Sequence, residues 1–128
     1  TDGDVAIAVS TCMPNNPIDM LLGWGGSTEA VLAAVAMRIL GGEIITRFKP
    51  RHDEDKKKLE ELGIQQDQIF TAADMAKGED LTFTATGVID GPMLPGVIFT
   101  KTGMITKSVV MRKSSGTVRF IETHHHEE

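Results

Sequence analysis

An α/β fold, a mixed β-sheet covered by helices, is what this sequence predicts, and three observations lead to it. A run of small and apolar residues, 28–40, lies between a glycine-rich turn and a Gly41-Gly42 pair, as a capped helix does. Up to residue 86, short alternating segments interleave with helical ones. The last third holds three strand-like segments joined by short polar turns. Laying helices across a sheet buries the apolar faces of both. The chain has 128 residues, enough for one domain, 1–128, with a real core.

The first segment, 5–13, follows Asp4, a good helix cap. Its β-branched residues suit a strand and its alanines suit a helix, so periodicity leaves both open. Pro14-Asn15-Asn16-Pro17 breaks the chain, and 18–22 then reads as a short buried strand. Ser27 is the expected N-cap of the helix 28–40. Residues 43–48 alternate as a strand until Pro50. Residues 53–62 open with acids, continue with Lys56-Lys57-Lys58 and stop at Gly63, predicting a solvent-facing helix with a narrow edge of Leu59 and Leu62. A short strand, 68–70, precedes a small helix in 71–78 with a Thr71 cap and a Gly78 stop. Residues 81–86 alternate as a strand. The segments 97–101, 105–112 and 117–123 are separated by turns so short that antiparallel pairing is forced.

Hydrophobic residues make up 41% and charged residues 24%, which excludes wholesale disorder. A formal charge of −5 argues against nucleic acid and membrane surfaces as partners, since both require a basic face. Basic residues cluster in 47–58 and 101–119, where they form solvated faces or meet a phosphate group. Cys12 is the single cysteine, so no intrachain disulfide forms, which fits a cytoplasmic location. It has no activating histidine nearby in sequence and reads as a small buried apolar residue. No signal peptide or membrane-spanning run is present. The first residue is Thr1, which suggests a piece of something longer.

Chemistry concentrates in Gly23-Trp24-Gly25-Gly26-Ser27-Thr28-Glu29, a glycine turn entering a helix. Glycines let a backbone approach a phosphate, and the free amides of a helix start bind anions. Glu29 in the first turn either settles the helix dipole or supplies an oxygen to a metal ion. Trp24 stacks on a sugar or simply packs. Arg47, Arg51 and His52 either reach a sugar phosphate or stay solvated. In a strand, His124-His125-His126 would point to alternate faces, so only His124 and His126 could share an ion, and a tail with incidental metal affinity is expected.

Several segments together resemble the C-terminal half of the bacterial class II fructose-1,6-bisphosphatases. They are Asp2-Gly3-Asp4-Val5-Ala6, Thr11-Cys12-Met13-Pro14, Gly25-Gly26 with Glu29, and Arg47 with Arg51-His52-Asp53. Ala85-Thr86-Gly87, Asp90-Gly91, Val110-Met111-Arg112 and Ser115-Gly116-Thr117-Val118-Arg119 follow in matching order and spacing. An acidic residue opening a small-residue helix that ends in Gly-Gly also resembles, more distantly, a signature of the lithium-sensitive metal-dependent phosphatases. That likeness tips 5–13 toward a helix.

The resemblance implies the C-terminal domain of the sugar-phosphatase (fructose-bisphosphatase/inositol-monophosphatase-like) fold. It implies hydrolysis of fructose 1,6-bisphosphate to fructose 6-phosphate and phosphate in gluconeogenesis, with Mn²⁺ or Mg²⁺ as cofactor. By position, Asp2, Gly3, Asp4 and Gly26 match substrate contacts, and Glu29 matches a metal ligand. The other acidic ligands of the family belong to an N-terminal half, which becomes an expected partner beside the sugar bisphosphate and further copies of the chain in a homo-oligomer. This chain alone is expected to be inactive. The alternatives are a stand-alone sugar-phosphate-binding or assembly module, a bisphosphatase also acting on sedoheptulose 1,7-bisphosphate, and an inositol-phosphate-type phosphatase.

Overall fold

The computed structural model describes residues 4–14, 16–50, 52–65 and 67–127, apart from the side chain of Asp4. The two readings of the first segment are resolved as a helix, α1 (Asp4–Ser10). Its alanines favour that state, and Val9 and Ser10 end up fully buried. The Ser10 hydroxyl donates to the Ile7 carbonyl at 2.6 Å and that of Thr11 to Ala8 at 2.7 Å, so the last turn satisfies its own carbonyls.

The segment 18–22 is not the buried strand expected of it. It has no regular structure, and Met20 and Leu22 are 74% and 86% exposed. No described strand runs beside it, so its backbone has no ladder to join.

Helix α2 (Ser27–Leu40) begins one residue earlier than expected, so Gly26 occupies the cap and Ser27 is the first helical residue. At its far end Gly41 adopts φ +81°, and the Gly42 amide donates to the Met37 carbonyl at 2.9 Å. That left-handed turn is one glycine takes without steric cost. The stripe Ala33, Ala34, Ala36 and Met37 is buried. Small side chains let α2 approach its neighbours closely, and it packs against α1, against α4 (Ala72–Met75) and across the larger sheet.

Strands β1 (Ile45–Arg47) and β2 (Ile69–Thr71) pair antiparallel, Thr46 opposite Phe70. Helix α3 (Asp53–Glu61) lies between them in the chain. A parallel crossover would need that helix on the sheet face. However, α3 buries only Leu59 and stays outside, and Leu62 is 72% exposed rather than part of an apolar edge.

The larger sheet is built on β5 (Gly103–Arg112). Strand β6 (Thr117–His126) follows it along its whole length, from Arg112 opposite Thr117 to Gly103 opposite His126. The other edge of β5 carries β3 (Thr82–Thr86) and β4 (Ile98–Phe99), one beyond the other. Every described pairing is antiparallel, where a mixed sheet was expected. Short turns dictate this for β4, β5 and β6, and β3 joins β5 in the same sense. Phe83 and Met111 face each other across the sheet under α2 and form the core with Val9, Ala34, Val109 and Leu94.

Helix α4 is held at both ends. The Thr71 hydroxyl accepts from the Asp74 amide, and the Asp74 carboxylate accepts from the Thr71 amide at 2.9 Å, a complete capping box. Glu43 accepts from the Ala72 amide at 2.9 Å, satisfying a further donor of the first turn. Arg38 donates to the carbonyls of Ala76 and Gly78 at 2.6 and 2.7 Å. The helix therefore ends at Ala76, ahead of Gly78.

Candidate functional site

Glu29 is the third residue of α2 and is exposed, as are residues 21–28 before it. Its carboxylate folds back over Gly26, close enough that a Cβ at Gly26 would collide with it. The first intrahelical bond runs from the Ala30 amide to the Gly26 carbonyl at 3.1 Å. The amides of Ser27, Thr28 and Glu29 precede it, so they have no carbonyl a turn below them. Gly26 provides no side chain to cap them. The result is an open helix start with positive backbone potential and one carboxylate at its mouth.

Trp24, just before this start, is 66% exposed, and the Lys49 ammonium stands 3.8 Å from its ring centroid. Lys49 belongs to a shallow pocket of about 250 Å³ lined by Arg47, Phe48, Lys49, Pro50, Lys56 and Asp67. The basic run 47–58 was legible in the sequence, but its approach to Trp24 was not. Phe48 meets Phe70 edge to face with centroids 5.6 Å apart, which ties the pocket wall to β2.

Of the sequence-derived site residues, the fold brings Gly26 and Glu29 together. Asp2 and Gly3 lie outside the described residues, as do Arg51 and the side chain of Asp4. Cys12 is half-buried rather than buried as expected, with its sulfur 3.3 Å from that of Met37. The three histidines form the end of β6, paired with β5, rather than a tail. His125 bonds to Thr106 at 2.9 Å and His124 to Glu122 at 2.9 Å.

Among the described residues, the carboxyls of Asp74 and Asp80 titrate below their ordinary range. The Thr71 amide and hydroxyl lower that of Asp74, and the Arg112 guanidinium beside Asp80 lowers the other. Among the described residues, no three His, Cys, Asp or Glu side chains gather to hold a metal ion. Glu29 is a hard oxygen donor of the kind Mg²⁺ or Mn²⁺ accepts, so it fits such an ion as one ligand of several. No helix is long and apolar enough to cross a membrane among these residues.

A family model described as bacterial fructose-1,6-bisphosphatase, glpX-encoded, matches residues 1–125. The chain belongs to this family. The class 2 fructose-1,6-bisphosphatase of Haemophilus influenzae is 34% identical over 138 aligned positions, which cover 98% of this chain and 41% of the relative. Fructose-1,6-bisphosphatase 1 class 2 of Escherichia coli K12 is 33% identical, with the same coverage of both chains. This member of the glpX-type family therefore spans about 41% of the length of the curated relatives it matches, their C-terminal part. The matched region holds the whole α2 helix start and all of β1 to β5.

Proposed function

We propose that this chain is the C-terminal domain of a metal-dependent fructose-1,6-bisphosphatase, which hydrolyses fructose 1,6-bisphosphate to fructose 6-phosphate and phosphate. Family membership supports the activity, and the observation on which the site rests is the exposed Glu29 carboxylate at an uncapped, glycine-led helix start. Glu29 contributes one ligand to Mn²⁺ or Mg²⁺. Gly26, with Asp2, Gly3 and Asp4, forms part of the sugar-phosphate cradle. The remaining ligands come from an N-terminal part like the one that makes up the rest of the relatives' length.

Phosphate monoesters hydrolyse very slowly unless their charge is neutralised and a water is activated. When bound, the divalent ion supplies Lewis acidity and an activated water. In this chain, the amides of Ser27, Thr28 and Glu29 orient the anionic oxygens of the substrate. Gly26, having no side chain, leaves room for the Glu29 carboxylate over the helix start, and Glu29 fixes the position of positive charge beside the phosphate. Asp2 and Asp4 accept hydrogen bonds from sugar hydroxyls, since two carboxylates would repel a phosphate.

The exposed apolar residues support a partnered domain over a stand-alone module. Met20, Leu22 and Trp24, close together along the chain, are each more than 60% exposed, and clustered exposed apolar residues mark interaction surfaces. We assign their cover to the N-terminal part, with a homo-oligomer of the whole protein built on it. The fold reading is that of the fructose-bisphosphatase/inositol-monophosphatase-like C-terminal domain, and a single free cysteine suits a reducing compartment such as the cytoplasm. Phosphate release from fructose 1,6-bisphosphate, followed for this chain and for a full-length protein containing it, tests the proposal. Metal-dependent release is expected from the full-length protein only. Release at full rate by this chain alone would overturn the divided site.

A further inference from the structure

We propose that the outer edge of β6 pairs antiparallel with the same edge of a second copy of this chain, about a two-fold axis at Ile121. The seam is set by the backbone of the β5–β6 hairpin and stands apart from the bisphosphatase reading. Strand β6 pairs with β5 along its length, and among the described residues no strand lies against its other side. The Glu127 amide donates to the Thr102 carbonyl at 2.8 Å, continuing the register that sets His126 opposite Gly103. Hydrogen-bonded and non-hydrogen-bonded pairs alternate along an antiparallel ladder. The odd-numbered residues of β6 therefore bond to β5, and the backbone groups of Val118, Phe120, Glu122 and His124 point outward.

This edge differs from the others in the molecule. Proteins blunt sheet edges by keeping them short, or by placing proline, lysine or a bulge on them. Strand β3 has five residues, β4 two, and β1 and β2 three each. Strand β6 runs for ten residues without proline or lysine, and its register with β5 has no slip. Phe120 is 61% exposed on one face and Ile121 43% on the other. A long, unblunted edge of this kind is a template for a further strand.

Strand β6 is itself the strand that fits. Across a two-fold axis perpendicular to the sheet, opposite residues share a face, so the axis must lie at a residue position. The two strands overlap most fully with the axis at Ile121 or at Glu122. The second register sets Glu122 against Glu122 of the other copy, and like charges directly opposite destabilise a sheet. The first sets Ile121 against Ile121 in a close, non-hydrogen-bonded pair. Arg119 then faces Thr123, Phe120 faces Glu122 and Val118 faces His124, with no like charges opposed. The outward backbone groups of all four even-numbered residues from Val118 to His124 find partners, and the two hairpins become one continuous sheet.

Sedimentation equilibrium of this chain at micromolar to millimolar concentration should give the mass of two chains. Phe120→Pro removes an outward amide and leaves the β5 ladder intact, a place where an edge strand tolerates proline. That variant should stay folded by circular dichroism and sediment as one chain. A monomeric unaltered chain, or a folded Phe120→Pro variant that still dimerises, overturns the seam.

Cross-linking tests the register without proline. In a Cys12→Ser background, Ile121→Cys places two thiols on Cα atoms about 4.5 Å apart, inside the roughly 4.4–6.8 Å range of a disulfide. Thr123→Cys leaves its own copy four residues away along the strand, about 13 Å. Mild oxidation should give a disulfide-linked dimer of the Ile121→Cys variant and none of the Thr123→Cys variant; any other pattern overturns the register. The full-length protein, its other cysteines replaced, should cross-link through Ile121→Cys as well. Cross-linking in this chain but not in the full-length protein would mean that the N-terminal part covers the edge, and would overturn the second copy as its partner. Phosphate release is read in none of these measurements, so failure of the bisphosphatase reading leaves the seam standing.

Discussion

Helices α2 and α4 start in opposite ways. At α4, Thr71 and Asp74 cap each other's amides and Glu43 takes the Ala72 amide, so the one-turn helix opens with its donors used internally. At α2, a helix of 14 residues, the cap is a bare glycine and the nearest carboxylate leans over it in the open. A four-residue helix depends on its caps, because it has too few internal bonds to persist without them. A long helix with a buried alanine stripe can leave its first donors to a ligand. The contrast separates a start built for stability from one available for chemistry.

The strongest way to break this contrast is to remove the exposed charge. Glu29→Gln in the full-length protein should lower metal-dependent phosphate release about 10²–10³-fold, the scale of losing one preorganised electrostatic contact. Its thermal melt should be unchanged, because the side chain is exposed. Near-normal turnover in that variant would take Glu29 out of the mechanism.

Gly26→Ala sharpens the same point. The backbone at Gly26, φ −72° and ψ 158°, is open to any residue, so alanine introduces no strain there. Its methyl group would occupy the space that the Glu29 carboxylate now fills, and the carboxylate would swing away. Turnover of the full-length protein should fall about tenfold, while stability stays within about 0.5 kcal/mol of wild type. A thermal melt and a steady-state assay on one preparation separate the two effects.

How much of this was legible in the sequence varied with how local the cause was. The α2 helix, its Gly41 stop, the Thr71 cap and the three C-terminal strands follow from residues within a few positions of one another. Segment 18–22 misled because its apolar residues suit a strand, while whether they are buried depends on what packs over them. The mixed sheet failed for a related reason: the antiparallel β1–β2 pair follows from α3 staying off the sheet, a tertiary choice. That Gly26 and Glu29 lie together at the start of α2 was legible because they are three residues apart. Gly26 nevertheless displaced Ser27 as cap, since extending the helix one residue leaves its buried stripe in place. The positions of Lys49 over Trp24, Glu43 on α4 and Arg38 on the Ala76 carbonyl depend on long-range packing and had no local signal.

At the closed start, Thr71→Ala should cost about 1 kcal/mol, the usual worth of a helix cap. A thermal melt should show a drop of a few degrees, with phosphate release by the full-length protein unaltered. Lost turnover at intact stability would mean that α4 takes part in the chemistry and that the contrast with α2 is misplaced.

The smallest effect is the acid dependence of the same cap. Asp74 is held below its ordinary carboxyl range by the amide and hydroxyl of Thr71, which donate to its charged form at 2.9 and 3.0 Å. Its pKa is therefore lower folded than unfolded, and the unfolded chain takes up the proton first as pH falls. The cap's contribution is complete above the ordinary value of about 4, and is lost as pH falls through the depressed folded value. Asp74→Asn keeps the shape of the side chain but removes this titration. The difference in melting temperature between wild type and Asp74→Asn should be constant at pH 5–7 and narrow below about pH 4. Comparing the two proteins cancels the similar contribution from Asp80, whose carboxyl is lowered by Arg112 in both. A difference that persists undiminished at the lowest pH would show that the α4 start is held by Glu43 and Thr71 without the Asp74 charge.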